Sequence, residues 1–124
     1  GCDCKSGMLP ALPFMQTTVA IATATLPAAG AGMFHYITSV SMVRNATAAL
    51  AGGATLIHTS TNLPGNPAWS VGNNMIAGGT QVDLDLQPAS PIKSLVANTN
   101  TTFVMAAGGA AVLNRINVNY YVGF

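Results

Sequence analysis

Hydrophobic and polar residues alternate with a period of two along most of this chain. The longest such run is the last. Val112, Ile116, Val118, Tyr120 and Val122 share one parity, with Asn114 as the only break. The other parity carries Arg115, Asn117 and Asn119 between Leu113 and Tyr121. Successive side chains of a strand point to opposite faces, so the run predicts a long strand with one buried and one wet face. No Gly or Pro interrupts it, and it is about twice the usual strand length of about five or six residues. It is expected across the middle of a sheet.

Shorter runs of the same kind precede it. Gln16 to Thr25 alternates Thr17, Val19, Ile21, Thr23 and Thr25 against Thr18, Ala20, Ala22 and Ala24. Phe34 to Arg44 places Tyr36, Val40 and Met42 on one face and Ile37 and Val43 on the other. Ala54 to Thr61 sets Leu56 and His58 opposite Thr55, Ile57 and Thr59. Thr80 to Gln87 alternates most cleanly, with Val82, Leu84 and Leu86 predicted inward and Gln81, Asp83, Asp85 and Gln87 outward. Ile92 to Ala97 reads as a short strand, and Thr101 to Ala107 as another with Phe103 and Met105 inward. Gly, Pro and Asn clusters punctuate these runs: 27–32, Gly52-Gly53, 62–68, 98–100 and Gly108-Gly109. The stretch 45–50 reads as a hairpin connection, and 62–74 as a long loop with a short strand at 69–71.

No helix is predicted, and turns recur about every ten residues. The expected fold is therefore all-β, an antiparallel jelly-roll-like β-sandwich of about eight strands. Pro10 and Pro13 predict an extended N-terminal arm or tail over 1–15, ahead of a single sandwich domain over 16–124. The arm's Leu9, Leu12 and Phe14 are candidate partner-binding residues, packing on their own domain or on a neighbouring subunit.

Composition changes the picture in one respect. Only 6 % of the 124 residues are charged, against about 25 % in ordinary globular domains. A chain with net charge +1 has little electrostatic protection against association, so much of the surface is expected to be covered in an assembly. Four scattered basic residues make no phosphate-binding face, so nucleic acid is not an expected partner. No apolar run reaches the ~20 residues that span a bilayer, so neither is a membrane. Cys2 and Cys4 are two apart. In an extended chain that is about 7 Å, too far for an unstrained mutual disulfide. An inter-chain bridge, a free thiol pair and a non-native tail remain open.

Candidate chemistry is sparse. Asp83 and Asp85 are the only paired carboxylates and are expected on a solvated strand face. His58 shares parity with Leu56 and is expected to be partly buried and hydrogen-bonded, and His35 lies on a different strand. No catalytic, cofactor-binding or metal-ligating set is assigned, and the chain is not expected to be an enzyme. Trp69, the only tryptophan, is either a plug over the β-core or a stacking surface for a sugar. Asn45-Ala46-Thr47 and Asn100-Thr101-Thr102 match the glycosylation sequon.

From Gln16 onward the chain resembles small structural proteins of tailed-bacteriophage virions. The resemblance rests on Gln16-Thr17-Thr18-Val19-Ala20-Ile21, on Asn62-Leu63-Pro64-Gly65-Asn66-Pro67-Ala68-Trp69-Ser70-Val71-Gly72-Asn73, on Val96 to Thr102 and on Tyr120-Tyr121-Val122. It implies a jelly-roll capsid decoration, or cement, protein at the capsid surface. Its partners would be the major capsid protein or other virion subunits, and a homo-oligomer, with a trimer favoured, is expected. The alternative is a carbohydrate-binding β-sandwich, a tail adhesin or lectin-like module, using the Trp69 loop.

Overall fold

A computed structural model describes residues 14–19 and 23–124. Nine strands account for its regular structure: β1 (Phe14–Val19), β2 (Thr23–Leu26), β3 (Phe34–Ala46), β4 (Leu50–Ser60), β5 (Ala68–Met75), β6 (Thr80–Leu86), β7 (Ile92–Lys93), β8 (Thr101–Val104) and β9 (Val112–Gly123). No helix among the described residues is long and apolar enough to cross a membrane.

The strands form two antiparallel sheets. One has the order β1-β9-β3-β6, with β7 added beside β3. The other has the order β2-β8-β4-β5. Apart from β7 the pairing is nested. β4 pairs with β5, β3 with β6, β2 with β8 and β1 with β9. A chain folded once into a long double ribbon and then rolled into two sheets gives this arrangement, which is the jelly roll. The eight principal strands and the sandwich match the sequence expectation. β9 lies between β1 and β3, so the long C-terminal strand is central as its length implied.

Between the sheets lies one apolar core of Ala24, Leu26, Ile37, Val40, Met42, Leu63, Phe103, Met105, Ile116, Val118 and Tyr120. Phe103 and Met105 point inward as expected and are fully covered. Each fully buried side chain of this size contributes about 1.5–3 kcal/mol relative to exposure. The connections 47–49, 76–79 and 105–111 gather at one end of the sandwich, here the lower end. Those at 27–33, 61–67 and 94–100 gather at the other, the upper end.

Several local expectations change. The run from Gln16 to Thr25 is two strands, β1 and β2, in different sheets. The link 47–49 is a crossing from one sheet to the other, and Gly52 and Gly53 fall inside β4. β5 runs from Ala68 to Met75, longer than predicted, while β7 keeps only two residues of the 92–97 run. Most consequential are two β-bulges. In β3 the register to β9 shifts between Ile37 and Ser39. Ile37 is consequently buried and Tyr36 faces outward, with Val40, Met42 and Arg44 inward. In β6, Val43 pairs with Val82 but Met42 pairs with Leu84, leaving Asp83 as the extra residue. Val82 is 61 % exposed, while the side chain of Asp83 is fully covered. One inserted residue moves the following side chains to the other face, which simple alternation cannot anticipate.

Candidate functional site

The bulge in β6 delivers Asp83 to a buried polar cluster at the lower end. Arg44 continues the inward parity of Val40 and Met42, so its guanidinium enters the same interior. His58 arrives from β4 in the facing sheet. Arg44 Nε and His58 Nε2 meet the same carboxylate oxygen, Asp83 Oδ2, at 2.6 and 2.7 Å. All three side chains are fully covered. Gln81 Nε2 donates to the other oxygen, Oδ1, at 3.0 Å.

The remaining bonds extend the cluster across the sandwich. Arg44 also donates to Asn73 Oδ1 at 2.6 Å and to the Gly72 carbonyl at 2.8 Å, both on β5. Asn73 Nδ2 donates on to the Gly108 carbonyl. The Ala106 N–H donates to His58 Nδ1 at 2.9 Å. A backbone N–H only donates, so Nδ1 holds a lone pair and the imidazole proton sits on Nε2, where it is given to Asp83. Burial alone would push the Asp83 carboxyl up. The hydrogen bonds from His58 and Arg44, with the Arg44 charge, outweigh it and hold Asp83 below the usual carboxylate range.

This corrects the sequence expectation for the acidic pair. Asp83 is enclosed in an ion pair and Asp85 is exposed, so the two do not share a solvated face. His58 is hydrogen-bonded as expected, and it is fully covered where partial burial was expected. Arg44, Asn73 and Asn114 were missed. A signal existed for two of them. Asn114 is the one polar break in the buried row of β9, and Arg44 prolongs the Val40–Met42 parity. The two stand opposite each other in the β3–β9 register. Asn114 Nδ2 donates to the Ala106 carbonyl, and its Oδ1 is buried with no partner.

Two open cavities flank this end. One, of about 300 Å³, lies at the β5–β6 turn and is lined by Asn74, Met75, Ile76, Gly79, Thr80 and Gln81. The other, of about 240 Å³, lies along 107–110 and 112–114. Among the described residues no group of three or more His, Cys, Asp or Glu is placed to hold a metal ion.

The upper end is built from neutral groups. His35 Nε2 donates to the Pro27 carbonyl at 2.7 Å, and Nδ1 accepts from the Thr101 hydroxyl at 2.8 Å. Burial lowers the His35 pKa despite the opposing bond to Pro27. Asn62 Nδ2 donates to the carbonyls of Val96 and Thr99 and to Thr101 Oγ1, and Asn62 Oδ1 accepts from the Val96 N–H. Asn98 and Asn100 accept from the N–H groups of Gly30 and Ala28. Asn62, Asn66 and Asn98 adopt positive φ, which Asn tolerates better than other residues with a Cβ.

Trp69 lies on β5 opposite His58 in register and packs, partly buried, against the core. Phe14 opens β1 opposite Tyr120. Leu9, Leu12, Cys2 and Cys4 lie outside the described residues. Of the sequons, Asn45 donates to Thr80 Oγ1 and has a buried Oδ1, whereas Asn100 is exposed. Neither a protein family, a curated protein nor a solved structure matches the chain.

Proposed function

We propose that this chain is a non-enzymatic structural subunit of a virion, one that decorates a phage capsid and cements neighbouring shell subunits. One observation supports it above the others: the fold withdraws charge from an already charge-poor surface. Five charged residues fall in the described region: Arg44, Asp83, Asp85, Lys93 and Arg115. Arg44 and Asp83 neutralise each other inside, which leaves three outside. Lys93 lies over the Phe34 ring, 4.2 Å from its centroid. Meanwhile Ile57, Ile76, Val82, Leu95, Val96, Leu113 and Phe124 are each more than 40 % exposed. Such a surface favours contact with neighbours over life as a free monomer.

The enclosure of Asp83 and His58 supports a non-catalytic role, since both side chains are spent on fixed partners and closed to solvent. In a lattice, symmetry repeats each weak apolar contact many times, so modest buried area suffices for tight decoration. The test is native mass by light scattering, with and without reductant, followed by co-sedimentation with phage capsid shells. A stable oligomer that sediments with shells is the expected result. A strict monomer that binds no shell would overturn the reading. If that monomer also binds a glycan with quenching of Trp69 fluorescence, the protein is instead a carbohydrate-binding sandwich.

A further inference from the structure

We infer that segment 106–111 is an acid-released latch, held shut by the unprotonated Nδ1 of His58. The segment reads Ala106-Ala107-Gly108-Gly109-Ala110-Ala111. It has no side chain larger than a methyl group and so little apolar area of its own to bury. Gly109 adopts φ +123°, which only glycine accommodates readily. The segment is held largely through its backbone, by groups from its surroundings. His58 of β4 accepts from the Ala106 N–H, Asn114 of β9 donates to the Ala106 carbonyl and Asn73 of β5 donates to the Gly108 carbonyl. Thr47 donates to the Ala111 carbonyl from both its N–H and its hydroxyl.

Among these ties the bond to His58 alone runs through a titratable atom. Imidazole is the side chain whose charge changes in the mildly acidic range. A proton taken up on Nδ1 turns that nitrogen from acceptor to donor, and it then faces the Ala106 N–H, which cannot reverse. Two donors oppose each other at 2.9 Å and the tie is lost. The groups that face His58 set the rest of the cost. Asp83 on β6 accepts from Nε2 in either state, and Arg44 on β3 shares the same carboxylate oxygen. The neutral Trp69 of β5 stands opposite in register. The enclosed cluster would therefore pass from balanced charge to a net positive charge, unless the segment lifts and admits water.

Hydrogen exchange read by mass spectrometry, corrected for the intrinsic pH dependence of exchange, tests it on the full chain. Between pH 7.5 and 5 the amides of 105–112 should lose at least tenfold in protection, while those of β3 and β9 keep theirs. Nitrogen chemical shifts of His58 should show Nδ1 gaining its proton in step with that loss. In His58→Asn an amide oxygen stands near the place of Nδ1 and cannot titrate, so the pH dependence at 105–112 should vanish. His58→Gln supplies the donor to Asp83 but no acceptor for Ala106, and should leave the segment open at both pH values. Three results would each overturn the latch: unchanged protection at 105–112 while His58 titrates, a His58 that takes up no proton down to pH 5, or loss of protection across the whole sandwich at once.

Discussion

The two ends of the sandwich solve one problem with different chemistry. Each must tie its connections to a closed core and satisfy a histidine buried beneath them. The lower end uses an ion pair, Arg44 with Asp83, that organises His58, Asn73 and Gln81 around it. The upper end ties its histidine and loops without an ion pair: His35 rests on a hydroxyl and a carbonyl, and Asn62, Asn98 and Asn100 stitch the loops. The difference lies in what failure costs. A missing neutral hydrogen bond exposes a dipole, whereas a missing partner in the ion pair strands a whole charge in the interior. The lower end is specified more sharply and is correspondingly less tolerant of change.

The largest expected effect follows from that asymmetry. Asp83→Leu leaves the Arg44 guanidinium buried without its counter-charge and should cost about 3–5 kcal/mol in chemical denaturation. Adding Arg44→Met removes the stranded charge, so the double variant should recover most of the loss. A double variant no better than the single one would show that the two residues are not coupled, and the contrast between the ends would fail.

Next comes the upper end. Asn62→Ala deletes the side chain that joins 61–67 to 94–101, and should cost about 1–3 kcal/mol. The lost protection against hydrogen exchange should be confined to 94–101. Spread of that loss to 105–111 would mean that the two ends do not behave separately.

The smallest effect is read by pH. The folded-state pKa of His35 is lowered from histidine's ordinary 6.5, so its share of stability is complete above about 6.5 and is lost as pH falls from there towards the folded value. Asp83, lowered from 3.8, likewise contributes fully above that value and loses its share only below it. Through these two groups acid should weaken the upper end before it breaks the ion pair. Denaturation midpoints measured from pH 7.5 to 3 should fall in two stages. His35→Gln, which keeps a donor towards the Pro27 carbonyl, should reduce the first, and what remains of it should track the opening of 106–111.

How far the sequence carried is clearest on β6 and β9. On β9 the alternation held from Val112 to Tyr120. Asn114 stood out in the buried row, and it is buried. On β6 the cleanest alternation in the chain pointed to Asp83 outside and Val82 inside, and the bulge reversed both. His58 was read as partly buried from its parity with Leu56, but nothing near it in sequence named its partner. Asp83 lies 25 residues from His58 and 39 from Arg44.

The sequence by itself therefore determined the all-β class, the order of most of the strands, the central C-terminal strand and the scarcity of charge. Those properties arise from local alternation, turn residues and composition, which are written along the chain. Only the tertiary structure decided where the bulges fall, and hence which residues of β3 and β6 face the core. It also decided that Arg44, Asp83 and His58 converge. A bulge is set by how a strand fits its neighbour. A charge is tolerated inside only where remote elements bring its partners to it. Neither condition is visible within one strand.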